Sequence, residues 1–187
     1  MLSTKGQPFF AANKVRTAAV TYGGHTYANV PLRYDLVRGQ LVLTAPGGGR
    51  EMTLLNEQVT RFVLDGHSFI RLAIDSIGNA PLRAGFYDLL VEGPVRLLAL
   101  RRKTFQKRAT NEGMESEITA SDAYFVGKDR RYYPVDKAAE LLRLFPDDKA
   151  ALRDYIQNNH LNFKAESREQ ALVALVRYQA TLARAGH

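Results

Sequence analysis

The chain has 187 residues, 45% hydrophobic and 24% charged, with 26 Lys and Arg against 19 Asp and Glu for a net charge of +7. That is the composition of a globular protein able to bury a core without metals or cross-links. The absence of Cys excludes disulfides, thiol catalysis, Cys-ligated zinc and iron–sulfur clusters, and no apolar run approaches the roughly 20 residues of a membrane-spanning helix.

Residues 1–14 read as an N-terminal arm. No charged n-region followed by an apolar h-region marks a signal peptide in Met1 to Asn13. Phe9-Phe10 is its one apolar feature and is expected to tuck the arm against the body. From 15 to 135 the chain reads as an antiparallel β-rich domain. Val15 to Tyr22 is β-branched and aromatic, and Gly23-Gly24 supplies the positive φ of a tight hairpin turn before His25. Leu32 to Val37 and Gln40 to Leu43 flank Arg38-Gly39, and Pro46 to Gly49 is a loop. Val59 to Leu64 and Ser68 to Ile74 flank Asp65-Gly66, a strong hairpin dipeptide. Phe86 to Val91 and Val95 to Leu100 flank Glu92-Gly93-Pro94. The stretch 109–122 is expected to be a mobile surface loop, because it carries few large apolar residues. Tyr124 to Val126 and Tyr132-Tyr133 then bracket a basic turn. Short strands at such close spacing predict a barrel, or a sandwich or roll.

Residues 136–187 change character, and three helices are expected to form a C-terminal cap packed on or beside the sheet. Asp136 is the expected cap of the first, which Pro146 stops. Asp147-Asp148 sets negative charge where the dipole of the second favours it. Ser167 to Gln170 has the capping-box pattern, and Leu172, Leu175, Val176, Gln179 and Leu182 form a one-sided stripe on the third. Such a stripe closes a core or docks a partner; core packing is the expectation. The fold class is therefore α+β.

Several motifs together resemble a known group. They are Gly-Gln-Pro-Phe-Phe, the segment Val30 to Leu36 before a Leu-Val-Leu strand, Asp65 to Phe69, Gly85-Phe86-Tyr87, Leu97 to Lys103 with its Arg-Arg-Lys ending, Tyr132-Tyr133-Pro134, and the Leu-Phe-Pro-Asp-Asp-Lys helix start. Over about Lys5 to Leu182 the chain resembles an uncharacterised protein group of the Bacteroidota, usually made with signal peptides and thought to be exported. The resemblance implies a periplasmic or envelope setting and brings no activity, cofactor or catalytic residue.

Most enzyme signatures are missing. Gly47-Gly48-Gly49-Arg50 precedes a strand-like segment rather than the helix that a phosphate-binding loop opens. No Ser sits in a nucleophile elbow. The four histidines, His25, His67, His160 and His187, share no metal-ligand spacing. A zinc site from His25 and His67, or a carboxylate pair from Asp35 and Asp65, needs the fold to bring distant turns together. The expectation is no cofactor, no metal and no catalysis, with an enzyme built on a spatially assembled site as the outlying alternative.

The strongest signal is electrostatic. Between Pro94 and Arg108 lie Arg96, Arg101, Arg102, Lys103, Lys107 and Arg108 with no acidic residue, interrupted by Phe105. Arg and Lys gathered on one surface bind polyanions by counterion release, and Arg adds bidentate phosphate recognition. Lys128, Arg130 and Arg131 are expected to extend the patch, with Tyr132 and Tyr133 beside it for stacking on bases or sugars. The plain alternative is a solvated strand end whose charges prevent edge aggregation. The function these features favour is a non-catalytic envelope module whose basic surface meets an anionic component or protein partner. The alternative is a small cytoplasmic β-domain that binds nucleic acid without sequence preference.

Overall fold

The computed structural model describes residues 4–11, 14–45, 49–73, 82–110 and 113–185. The strands are β1 (Thr4–Lys5), β2 (Arg16–Tyr22), β3 (His25–Asp35), β4 (Gln40–Thr44), β5 (Glu51–Thr53), β6 (Val59–Leu64), β7 (His67–Leu72), β8 (Gly85–Val91), β9 (Arg96–Thr110), β10 (Gly113–Lys128) and β11 (Arg131–Pro134). Three helices follow: α1 (Ala138–Leu144), α2 (Lys149–Asn158) and α3 (Arg168–Ala185). The fold is α+β, as the composition shift predicts. The strands hydrogen-bond in the order β1-β10-β9-β8-β7-β6-β2-β3-β4-β5, with β11 also on β10. The two ends of this order do not pair with each other among the described residues, so the sheet is open rather than a closed barrel. The chain divides into two compact units, and β8, β9 and β10 each contribute residues to both.

Among the described residues, three hairpins turn on two residues held at positive φ. They are Gly23-Gly24 (55° and 81°), Asp65-Gly66 (50° and 79°) and Asp129-Arg130 (51° and 59°). Mirror-image turns of this kind match the twist of the strands they join. In the first two, the second position is glycine, which meets no steric penalty there. The third places Arg130 in the same conformation, at a cost on the order of 1 kcal/mol.

Unit 1 comprises 1–72, 84–88 and 100–122. Its core is aromatic. Phe62 stacks on Phe69 at 4.6 Å, and Tyr34 meets Phe62, Phe69 and Phe86 edge-on at 5.3, 5.3 and 5.9 Å. Two bulges aim these side chains. Between β2 and β6 the register shifts after Thr21, so that Val59 and Phe62, three apart, are both buried. Between β2 and β3 it shifts where Asn29 adopts φ 56°. The N-terminal arm packs as expected. Phe10 meets Phe69 edge-on at 5.1 Å, the Arg33 guanidinium lies 4.1 Å from the centre of the Phe9 ring, and Phe9 bridges to Asp35.

Of the stretch 109–122, residues 111–112 lie outside the described residues, and the rest is strand rather than loop. β9 continues to Thr110 and β10 begins at Gly113, while β1 adds in parallel through Thr4↔Ser116 and Lys5↔Glu117. Small and polar residues form strand here because hydrogen bonding to neighbouring strands, rather than burial of large side chains, holds the backbone.

Unit 2 comprises 73–83, 89–99 and 123–187. Its core joins Val91, Leu97, Ala99, Tyr124 and Val126 from the strands to Leu141, Leu142 and Phe145 of α1 and its end, Leu152 of α2, and Leu172, Leu175 and Val176 of α3. The stripe on α3 thus closes a core, with Gln179 buried beside it. Tyr155 and Tyr178 stack at 4.0 Å between α2 and α3.

The cap of α1 differs from expectation. The Glu140 carboxylate receives the N–H groups of Asp136 and Lys137 at 2.6 and 3.0 Å, while Asp136 pairs with Arg168 at 3.4 Å. Glu reaches back across one turn more easily than Asp136 reaches forward, because Asp136 lies outside the capping position. The Asp136 N–H is the main cause that holds the Glu140 carboxyl below its ordinary value of 4.5. Partial burial opposes it, and the Lys137 N–H with the charges of Lys137 and Arg143 reinforces it. A depressed carboxyl contributes stability above the ordinary value and loses it as pH falls through the folded value. Glu140→Gln should therefore lower the melting temperature near neutral pH, and the gap from the parent should narrow below pH 4.5. A gap that stays constant from pH 6 to 3 would show that the charge contributes nothing.

Candidate anion-binding clefts

The basic run of β9 is divided by the strand's own geometry. Successive side chains point to opposite faces, so Leu97, Ala99, Arg101 and Lys103 share one face and Arg96, Leu98, Leu100 and Arg102 the other. Arg101 is accordingly buried. Its Nε and Nη2 donate to Asp88 Oδ2 at 3.0 and 2.7 Å, and its Nη1 donates to Asp122 Oδ2 at 2.6 Å. The same Asp88 oxygen accepts His67 Nδ1–H at 2.8 Å; a carboxylate only accepts, which sets the tautomer. Asp88 is 1% exposed. Phe10 closes over this group, edge-on to the His67 ring at 5.0 Å. Ser68, next along β7, accepts Arg61 Nε at 2.9 Å.

Lys103 is also engaged. Its Nζ donates to the carbonyls of Gln7 and Phe9 at 2.9 and 2.7 Å, and desolvation lowers its pKa. Arg101 and Lys103 therefore hold the fold rather than present free charge. Arg102 is exposed. With Arg38, Tyr34 and Asn56 it lines a cleft of about 470 Å³ in unit 1. Burial pushes the Tyr34 phenol up, against the lowering influence of the Arg102 charge. Phe105 and Lys107 are exposed further along β9. Arg108 lies on the same strand, and its side chain falls outside the described residues.

The other predicted residues meet in unit 2. Arg96, Lys128, Arg130, Arg131 and Tyr132 line one open cleft of about 460 Å³, with Gly93, Pro94, Gly127 and Asp129. Its positive charge is set by the β10–β11 hairpin, where Gly127 pairs with Tyr132 and Lys128 with Arg131. A Cβ at Gly127 would meet Tyr132 Cε1 at 3.0 Å, so the missing side chain lets the ring lie across the strand. Lys128 is spoken for: it donates to the Leu144 carbonyl at 2.8 Å, at the end of α1, and sits 4.8 Å from the centre of the Phe145 ring. Arg96, Arg130 and Arg131 are exposed and meet no carboxylate among the described residues. Tyr133 follows Tyr132 along the strand and so belongs to the opposite face of the hairpin. The two tyrosines do not form one stacking surface.

The remaining sequence candidates serve turns. Asp35 Oδ1 accepts the N–H groups of Val37 and Arg38, each at 2.9 Å, and Asp65 pairs with Arg16 at 3.4 Å. His25 is exposed in its hairpin, and no cluster of three metal-binding side chains occurs among the described residues. Residues 46–48 of the glycine loop lie outside the described residues. Sequence reading missed the group around Asp88. Its one available signal was an acidic residue in the middle of the apolar strand Phe86 to Val91, since burying a lone carboxylate without a cationic partner is prohibitive.

Removing one member of a buried ion pair costs about 3–5 kcal/mol, because the other charge stays buried. Arg101→Met should therefore destabilise the chain by about that amount in urea unfolding, and adding Asp88→Leu should recover part of the loss. If the double variant is as unstable as the sum of the two single variants, the two residues are not coupled in the folded state.

Comparison with family models, with curated proteins and with solved structures returns no match for the chain.

Proposed function

We propose that the chain is a non-catalytic binding module that takes an anionic partner in the cleft of the β10–β11 hairpin. The observation that carries this reading is the charge of that cleft. Four basic side chains and one carboxylate line it, and three of the four, Arg96, Arg130 and Arg131, lack an acidic partner among the described residues. Surface arginines are ordinarily interspersed with acids, and a single-sign cleft raises the local concentration of the opposite charge. The resemblance to exported proteins adds the setting: we place the module in the cell envelope, acting on an anionic envelope component or on a protein partner.

The test is a titration with heparin as a model polyanion. Binding should weaken linearly in log K against log salt, and replacing Arg96, Arg130 and Arg131 together by Gln should flatten that slope and reduce affinity at least tenfold. Full binding by the triple variant would move the site elsewhere. A second reading, single-stranded nucleic acid, draws support from Tyr132 beside the arginines. Under that reading Tyr132→Ala weakens binding to an unstructured oligonucleotide by the loss of stacking, about 1–3 kcal/mol per base; equal affinity in parent and variant removes it. For the setting, fractionation of host cells should recover the protein outside the cytoplasm, and recovery with cytoplasmic markers would overturn the envelope assignment.

A further inference from the structure

Among the described residues, three two-residue hairpin turns provide a comparison within one molecule. All hold both residues at positive φ. Glycine occupies the second position in Gly23-Gly24 and in Asp65-Gly66. Asp-Gly is among the sequences this turn favours most. The third turn reads Asp129-Arg130, identical in its first residue to the second turn, yet it carries a long cationic side chain where glycine is the unstrained choice. Asn, Asp and His are the side-chain-bearing residues enriched in this region; Arg is not among them. An exposed residue held in a sparsely populated conformation at the mouth of a cleft points to a use for its side chain. Arg130 is that residue, and it lines the same cleft as Arg96, Arg131 and Tyr132.

We infer that Arg130 is the recognition residue of this cleft and that the group it binds is a phosphate ester. This rests on the anion-binding reading above and narrows it. The charge balance selects phosphate. With four basic groups and one acid around the cleft, a carboxylate would leave most of the positive charge uncompensated, whereas a phosphate monoester carries about −1.5 to −2 and three acceptor oxygens. Arginine rather than lysine is the residue whose planar fork fits such oxygens two at a time. The ring of Tyr132, laid across Gly127 with its Cε1 at 3.0 Å from a Cβ built there, offers an apolar wall to whatever carries the ester. That carrier is either a small organic phosphate or the headgroup of a phospholipid, and the two are separated by experiment.

The variants are Arg130→Gly, Arg130→Lys, Arg96→Gln and Arg131→Gln in the full chain. The probes are phenyl phosphate, inorganic phosphate, and vesicles of phosphatidylcholine alone or doped with phosphatidic acid. Arg130→Gly should raise the melting temperature by about 2 °C or more by relieving the turn, while it weakens binding of phenyl phosphate or of phosphatidate vesicles at least tenfold. Arg130→Lys keeps the charge and the strained backbone, so its melting temperature should match the parent while its affinity falls. Binding of phenyl phosphate in solution identifies a small phosphate ester; binding to phosphatidate vesicles alone identifies a headgroup. If Arg130→Gly gains no stability, or binds phosphate within twofold of the parent, the inference fails. It then leaves the anion-binding reading standing if Arg96→Gln and Arg131→Gln still lose heparin. A parent that binds heparin and neither phosphate probe overturns the phosphate assignment alone; a parent that binds none of them overturns both.

Discussion

One guanidinium ties four strands of unit 1. Arg101 reaches from β9 to Asp88 on β8 and Asp122 on β10, and Asp88 in turn holds His67 on β7. A charge at this depth is tolerable because each of its three nitrogens donates to a carboxylate oxygen, and Asp88 Oδ2 accepts three of the group's N–H bonds. Such a network contributes little net stability compared with an apolar filling of the same space. Its effect is on register: a slip of one residue in β8 or β9 would turn Asp88 or Arg101 to the other face and strand a charge. The aromatic cluster of Tyr34, Phe62, Phe69 and Phe86 occupies the same face of β7 and β8, so its packing relies on the register that the ion pair enforces.

The β10–β11 hairpin works on a different principle. Its turn is less favourable than the two glycine turns, and it is braced elsewhere. Lys128 bonds the end of α1, and Tyr132 fills the space that Gly127 leaves. The helices thus do more than close the apolar core of unit 2. They provide the carbonyl at Leu144 that fixes the strand on which the cleft is built, so a ligand would meet a surface whose backbone is already held.

How much of this was legible in the residues depends on which physical rule governed each region. Gly23-Gly24 and Asp65-Gly66 are read at once, because a steric rule leaves few other choices. The stripe Leu172, Leu175, Val176 is equally plain from its spacing. The run Arg101-Arg102-Lys103 misleads, since a cluster of charges reads as surface until the two-residue period of a strand is applied to it. That period sends Arg101 and Lys103 one way and Arg102 the other. The stretch 109–122 misleads for the opposite reason. Its strand is held by the hydrogen bonding of its neighbours, which no local pattern of large side chains announces. The cleft itself was half visible: Arg130 and Arg131 stood out as charges, but the conformation that sets Arg130 apart is a property of the backbone.

The contact between Lys103 and the carbonyls of Gln7 and Phe9 gives the arm a second meaning. The Phe10 N–H donates to Tyr34 O, and the Leu36 N–H to Pro8 O, at 2.8 and 2.9 Å. The segment 8–10 therefore covers a run of β3 backbone that β2 does not reach. Removing residues 8–10 would bare the Tyr34 carbonyl and the Leu36 N–H together with the space beside Phe69 that Phe10 fills. Residues 8–10 thus occupy backbone groups that a bare strand edge would offer to another chain.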